Sequence, residues 1–269
     1  MAYDLKSIIS GTVIKPPKIV VYGVGGIGKT KFAHHAPKPF FIFTEDGRGT
    51  FDLSGSPVCK TYADVMNWIK FLYEGEHDYK TVVIDTIDEF EPLLWAKVCA
   101  DHGQKSIDNN SKEFGFQKGY RHAADKGRLL LDGLDLLRDE RKMAVIVLGH
   151  ANPEKFDDPM SESYHLFNLR VHKLYSAIIH DWSDCFLFAN YEHFVVKDDG
   201  SFGKERVRGV GQGKRILYTQ RRPAFVAKER YGLPPELPFE WSAFVEAMTP
   251  SDPKPEIEKP KPKSEKKNG

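Results

Sequence analysis

Short, uniformly apolar runs alternate along this chain with longer stretches in which apolar residues recur every three or four positions. Ile19–Tyr22, Phe40–Thr44 (FFIFT), Thr81–Asp85 (TVVID) and Ala144–Leu148 (AVIVL) are the apolar runs. Each is the length of a strand buried on both faces. Between them, Lys29–His35, Ala63–Tyr73, Glu91–His102 and Arg121–Lys142 predict helices. Val65, Ile69 and Leu72 share a face of the second, and Leu130, Leu134 and Leu137 share a face of the fourth. Pro37 and Pro39 stop the first helix, and Gly103 is a candidate C-cap for the third. Strands alternating with helices at this spacing imply an α/β fold, with a mostly parallel central sheet and helices on both faces.

The pattern changes in the second half. Residues 104–120 and 151–169 are polar and predict loops, with a short helix over Arg170–His180. Cys185–Asn190 and His193–Lys197 read as strands, followed by an Asp198-Asp199-Gly200 turn and strands around Glu205–Arg208 and Arg215–Tyr218. These are expected to extend the same sheet as antiparallel C-terminal strands. Trp241–Ala247 predicts a closing helix. From Thr249 the chain is mostly Pro, Lys and Glu, a composition that cannot build a core. The expected division is an N-terminal segment 1–15, one domain over 16–248 and a disordered tail over 249–269.

Net charge over the 269 residues is +1, so no bulk field favours nucleic acid and any such surface must be a local patch. Cys59, Cys99 and Cys185 are widely spaced and read as buried free thiols. No apolar run approaches the ~20 residues of a membrane span, and the start, MAYDLKSIIS, lacks the pattern of a signal peptide. The expectation is a soluble cytoplasmic protein with no membrane partner.

Gly23-Val24-Gly25-Gly26-Ile27-Gly28-Lys29-Thr30 matches G-x-x-x-x-G-K-[ST] between a predicted strand and a predicted helix. Such a loop wraps phosphates with main-chain N–H groups. Lys29 is expected to reach the β- and γ-phosphates and Thr30 to bind magnesium. ATP and Mg2+ are therefore the expected ligands. Gly23, Gly25 and Gly28 also spell G-x-G-x-x-G, with Glu45 or Asp46 about 20 residues on, which is the rival dinucleotide pattern.

Asp85 ends the third strand, where a magnesium-holding carboxylate belongs. Thr86 follows it, so no glutamate is adjacent to serve as the base. Glu45, at the end of FFIFT, is the first candidate to accept a proton from water, and Asp46 the second. Phe40–Thr44 is taken as a candidate neighbour of the phosphate-loop strand. His150 ends the fourth strand and is a candidate for sensing the γ-phosphate.

GVGGIGKT, FIFTEDG, TVVIDT and VIVLGH together resemble the RecA-like P-loop ATPases of phages and prophages, over roughly residues 15–240. The resemblance implies ATP hydrolysis, with Glu45 as the catalytic acid–base group. It implies a coupling role for His150, although the usual residue there is Gln. It also implies assembly into a ring or filament of identical subunits, in which Lys228 and Arg230 reach a neighbour's γ-phosphate. Single-stranded DNA is the implied partner, in recombination or annealing inside a bacterial host cell. The DNA-gripping loops would be Lys112–Arg121, with Phe114, Phe116 and Tyr120 for stacking, and residues 152–173, with Lys155, Arg170 and Lys173. Arg206, Arg208, Lys214, Arg215, Arg221 and Arg222 form a third basic cluster. The alternatives are a non-catalytic nucleotide switch or assembly factor and a small-molecule kinase.

Overall fold

A computed structural model describes residues 15–158, 162–192, 194–200, 204–210 and 213–249. Its centre is a mixed sheet built from β1 (Lys18–Gly23), β2 (Pro39–Phe43), β3 (Thr81–Asp85), β4 (Ala144–Phe156), β5 (Tyr164–Leu169) and β6 (Cys185–Tyr191). The helices α1 (Lys29–His34), α2 (Tyr62–Glu74), α3 (Ile87–Asp101), α4 (Lys118–Asp139) and α5 (Lys173–Trp182) lie between or after those strands. Then come β7 (Phe194–Gly200), β8 (Lys204–Val210), β9 (Arg215–Tyr218), β10 (Glu236–Pro238) and α6 (Trp241–Met248).

The strand order is β10-β9-β6-β1-β4-β3-β2, with β5 paired to β4. Strands β6, β1, β4, β3 and β2 run parallel, and β9 and β10 close one edge antiparallel. The apolar runs alternate between two cores, as strands covered on both faces must. Val20, Tyr22, Val82, Ile84, Val145 and Val147 face one core, which α2, α3, α4 and α5 cover. Ile19, Val21, Val83, Ile146 and Leu148 face the other, which α1 and α6 cover.

Several sequence expectations are corrected. β2 is not beside β1: it is the edge strand, with β3 and β4 between them. The dinucleotide alternative fails on the same observation, because that fold places its first strand next to its second, and here β1 is flanked by β4 and β6. Residues 151–156 are not irregular. They continue β4, which pairs antiparallel with β5 from Ala151↔Leu169 to Phe156↔Tyr164. β7 and β8 do not extend the main sheet but form a separate pair, and Asp198–Gly200 belong to β7 rather than to a turn. The expected tail beyond 249 and most of the segment 1–15 lie outside the described residues.

One buried tyrosine ties the second half to the phosphate-loop strand. The Tyr22 hydroxyl lies 3.1 Å from the Phe167 carbonyl on β5 and 2.5 Å from the Val226 carbonyl. Burial holds its pKa well above the ordinary phenol value, so it remains a donor.

Candidate functional site

The C-terminal ends of β1 and β3 and the middle of β4, around Leu148–His150, meet at one end of the parallel strands, where open α/β folds bind ligands. In register, Gly23 faces His150, and Asp85 faces Leu148. β4 therefore brings His150 between the phosphate loop and the β3 aspartate.

The loop needs its glycines for two different reasons. At Gly23, a Cβ would run into the carbonyl oxygen of Ala189 on β6. At Gly28, φ is +102°, a left-handed conformation that costs other residues strain. A Cβ there would also meet the Arg215 guanidinium at 2.6 Å.

Lys29 is 6% exposed, and its ammonium is 3.3 Å from the carbonyls of both Gly23 and Val24. Burial lowers its pKa, while the charges of Asp88, Asp85 and Glu45 pull it back up. A desolvated cation whose hydrogen bonds among the described residues are two 3.3 Å carbonyl contacts is matched to an anion. Thr30 Oγ1 donates to Asp85 Oδ2 at 2.9 Å. Asp85 is 2% exposed, and burial pushes its carboxyl up to about 6 against the hydrogen bond from Thr30. The next side chain, Thr86, is buried, and its Oγ1 has no hydrogen-bond partner among the described residues. A hydroxyl and a carboxylate in contact, with a further unpartnered hydroxyl on the neighbouring residue, form an oxygen donor set of the kind Mg2+ takes. The residues fit the ion.

Glu45 lies two residues beyond the end of β2 and is partly exposed. Its charge raises both the Asp85 carboxyl and the Lys29 ammonium, so it belongs to the same electrostatic site although β2 is the far edge strand. The preceding Thr44 fixes the strand end: its N–H donates to the Asp85 carbonyl at 2.9 Å, and its Oγ1 accepts from Thr86 N–H at 2.8 Å. Asp46 is exposed.

His150 is not free at the strand end. Its main-chain N–H donates to Asp88 Oδ1, and its Nδ1 faces Asp88 Oδ2, each at 2.9 Å. Arg170 Nε donates to the same Oδ2 at 3.0 Å, and its terminal nitrogen bridges to Glu89 at 3.1 Å. Burial alone would raise the Asp88 carboxyl, but the bonds from His150 and Arg170 take it down to about 2. Asp88 is a site residue that sequence reading missed. An acid in the first turn of a helix ordinarily faces solvent, and nothing in TIDEF marks this one as buried. Arg170, taken for a DNA-loop cation, instead anchors this carboxylate. Arg215, taken for part of a third basic cluster, donates to the Ile27 carbonyl in the phosphate loop at 3.2 Å.

Lys228 and Arg230 are not brought to this site within the chain. Lys228 bridges to Phe186 at the start of β6. Arg230 pairs with Asp184, which caps the N–H of Lys18 at the opposite end of β1. That is the N-terminal end of the parallel strands, roughly 16 Å of strand away from the site. Among the expected DNA-facing aromatics, Phe114 is 1% exposed and belongs to the core, whereas Phe116 is 97% exposed. Tyr120 stacks on His172 at 4.1 Å.

Residues 15–231 match the model of the AAA domain family AAA_24. The chain belongs to that family. Membership accounts for the phosphate loop and brings with it nucleotide binding of the ATPase type, usually with Mg2+. The SPbeta prophage-derived uncharacterized protein YorG of Bacillus subtilis strain 168 is 26% identical over 106 residues, which are 38% of this chain and 33% of that protein. The match thus spans about a third of the relative's length. No helix among the described residues is long and apolar enough to cross a membrane.

Proposed function

We propose that this AAA-family domain binds ATP with magnesium at Gly23–Thr30 and hydrolyses it as a RecA-like ATPase on single-stranded DNA. The observation that carries the reading is the 2.9 Å contact between Thr30 Oγ1 and Asp85 Oδ2, one residue from the buried, underpaired Lys29. Residues 16–248 are the working unit.

In this reading the loop N–H groups and Lys29 hold the β- and γ-phosphates. Thr30 and Asp85 hold the magnesium ion, which neutralises charge on the phosphate oxygens. Glu45 accepts a proton from the attacking water. His150, between loop and aspartate, reads the γ-phosphate. Support for the RecA-like form is the strand order, in which β4 intervenes between β1 and β3 and delivers a polar side chain there.

Lys228 and Arg230, at the opposite end of the parallel strands, are assigned to a neighbouring subunit's phosphates in a ring or filament. Phe116 is the side chain we assign to stacking on a base. The prophage origin of the relative supports a phage link; within that setting we assign the protein to recombination or annealing in the host cytoplasm.

The test is ATP turnover with and without single-stranded DNA, alongside the assembly size. Turnover that rises with DNA and with assembly is expected. Tight ATP binding without turnover under all conditions would move the protein to the nucleotide-switch class. Turnover indifferent to DNA would remove the nucleic-acid part alone.

A further inference from the structure

Beside the phosphate loop, on the outer side of α1, lies a cavity of about 380 Å3 that none of the roles above uses. That volume falls within the roughly 300–1,000 Å3 of small-molecule pockets. We propose that it takes the aromatic base of the bound nucleoside triphosphate, with space for a purine. The proposal rests on the phosphate-loop reading and adds to it the other end of the ligand.

Three observations carry it. First, the cavity begins at Gly28, so a ligand whose phosphates lie on the loop can enter it without leaving the loop. Second, its walls are aromatic: Phe32 from α1 stacks on Phe239 at 5.0 Å, and Trp241 meets Phe32 edge-on at 5.3 Å. Phe32 and Phe239 are buried, but Trp241 is only partly covered. The stacked Phe32–Phe239 pair is closed on itself and backs the wall, so the ring left for a flat heterocycle to pack against is Trp241. Third, the walls are preformed. β10 pairs with β9, and the N–H of Phe239 donates to the Arg215 carbonyl at 3.1 Å, which fixes the 239–242 segment against β9. The Arg215 side chain lies at the junction, bonded to Ile27 in the loop and lining the cavity. It places a cation where the phosphate chain meets the nucleoside.

The test compares ATP with inorganic tripolyphosphate, which carries the phosphates without a nucleoside. Binding is measured by calorimetry, with magnesium, for the full chain, for Ser242→Trp and for Trp241→Ala. Ser242 is exposed and lines the cavity, so the added indole fills the space without entering the core. The wild type is expected to bind ATP at least tenfold more tightly than tripolyphosphate. Ser242→Trp should remove most of that preference and leave tripolyphosphate binding within twofold. Trp241→Ala should do the same where circular dichroism shows it folded.

Equal binding of ATP and tripolyphosphate by the wild type would overturn the proposal and leave the phosphate loop standing. So would an ATP preference that Ser242→Trp leaves intact, since the base then lies elsewhere. Failure of the wild type to bind either ligand would overturn the phosphate-loop reading itself.

Discussion

His150 holds Asp88 at both carboxylate oxygens, through its main-chain N–H and through Nδ1, each at 2.9 Å. Arg170 closes the third side of the same carboxylate. The Asp88 side chain is 1% exposed and Arg170 48%, so the two partners are not equivalent. Removing the buried acid strands a backbone N–H, an imidazole and a guanidinium. Removing the half-exposed arginine leaves Asp88 with both of its histidine bonds. Asp88→Ala is therefore expected to lower stability by about 2–3 kcal/mol and Arg170→Ala by about 1. Urea unfolding ranks them, and the reverse order would show that Arg170 is the dominant anchor.

The Asp85 carboxyl sits at about 6 in the folded protein, above its unfolded value of 3.8. Its folded state binds the proton more tightly, so the group stabilises the fold while protonated. That contribution disappears as pH rises from about 4 through 6. Asp85→Asn removes the dependence. In EDTA the variant should match the wild type near pH 4 and exceed it at pH 8 by up to about 3 kcal/mol. Chemical denaturation at the two pH values checks the difference. A variant less stable than the wild type at pH 8 would mean that ionised Asp85 is better solvated than its burial implies.

Lys29 is a residue whose removal should separate binding from stability. Its ammonium is desolvated and, among the described residues, hydrogen-bonds to two carbonyls at 3.3 Å. Replacing a poorly compensated buried charge with an apolar chain of similar length is commonly neutral or stabilising. Lys29→Met is expected to retain or raise the unfolding midpoint while ATP affinity falls roughly a hundredfold, by about 3 kcal/mol. Thermal scans with and without Mg-ATP measure both effects. A large loss of stability without ligand would assign the lysine a structural role.

Glu45→Gln tests the water-activating group. Turnover should fall at least about a hundredfold, the size of a general-base contribution, with ATP affinity within threefold. Comparable loss in both would mean that Glu45 acts through the metal site instead.

Arg230 is paired with Asp184 at the far end of the sheet from its own loop. If it serves a neighbour's phosphates, mixing Lys29→Met protein with Arg230→Ala protein should restore part of the turnover that each lacks. No recovery at any mixing ratio would remove the trans assignment.

The parallel strands were legible because a strand buried on both faces has no polar alternation, and four such runs stand out between helical stretches. The phosphate loop was legible because glycine spacing is local. Strand order was not, because β2 and β4 present the same apolar run and only the packed sheet decides which neighbours β1. The β4–β5 arm was hidden for a different reason. It carries polar residues such as Asn152, Glu154 and Lys155, and its partner lies beyond a long connection, so neither strand shows a clean period of two. Asp88 and Arg170 are joined across 82 residues, and Arg215 and Ile27 across 188. Sequence spacing carries no trace of such pairs.

β4 runs without interruption from Ala144 in the middle of the sheet, past His150, to Phe156 at the end of the β5 pairing. Its last six residues span about 20 Å at strand rise. One end of this strand is clamped between two neighbours, and the other hangs from a single partner like a cantilever. A rotation of the backbone at His150 that local twist does not absorb is carried into the outer arm, where the β5 ladder opposes it, so a small movement beside the phosphate loop becomes a larger one at the tip.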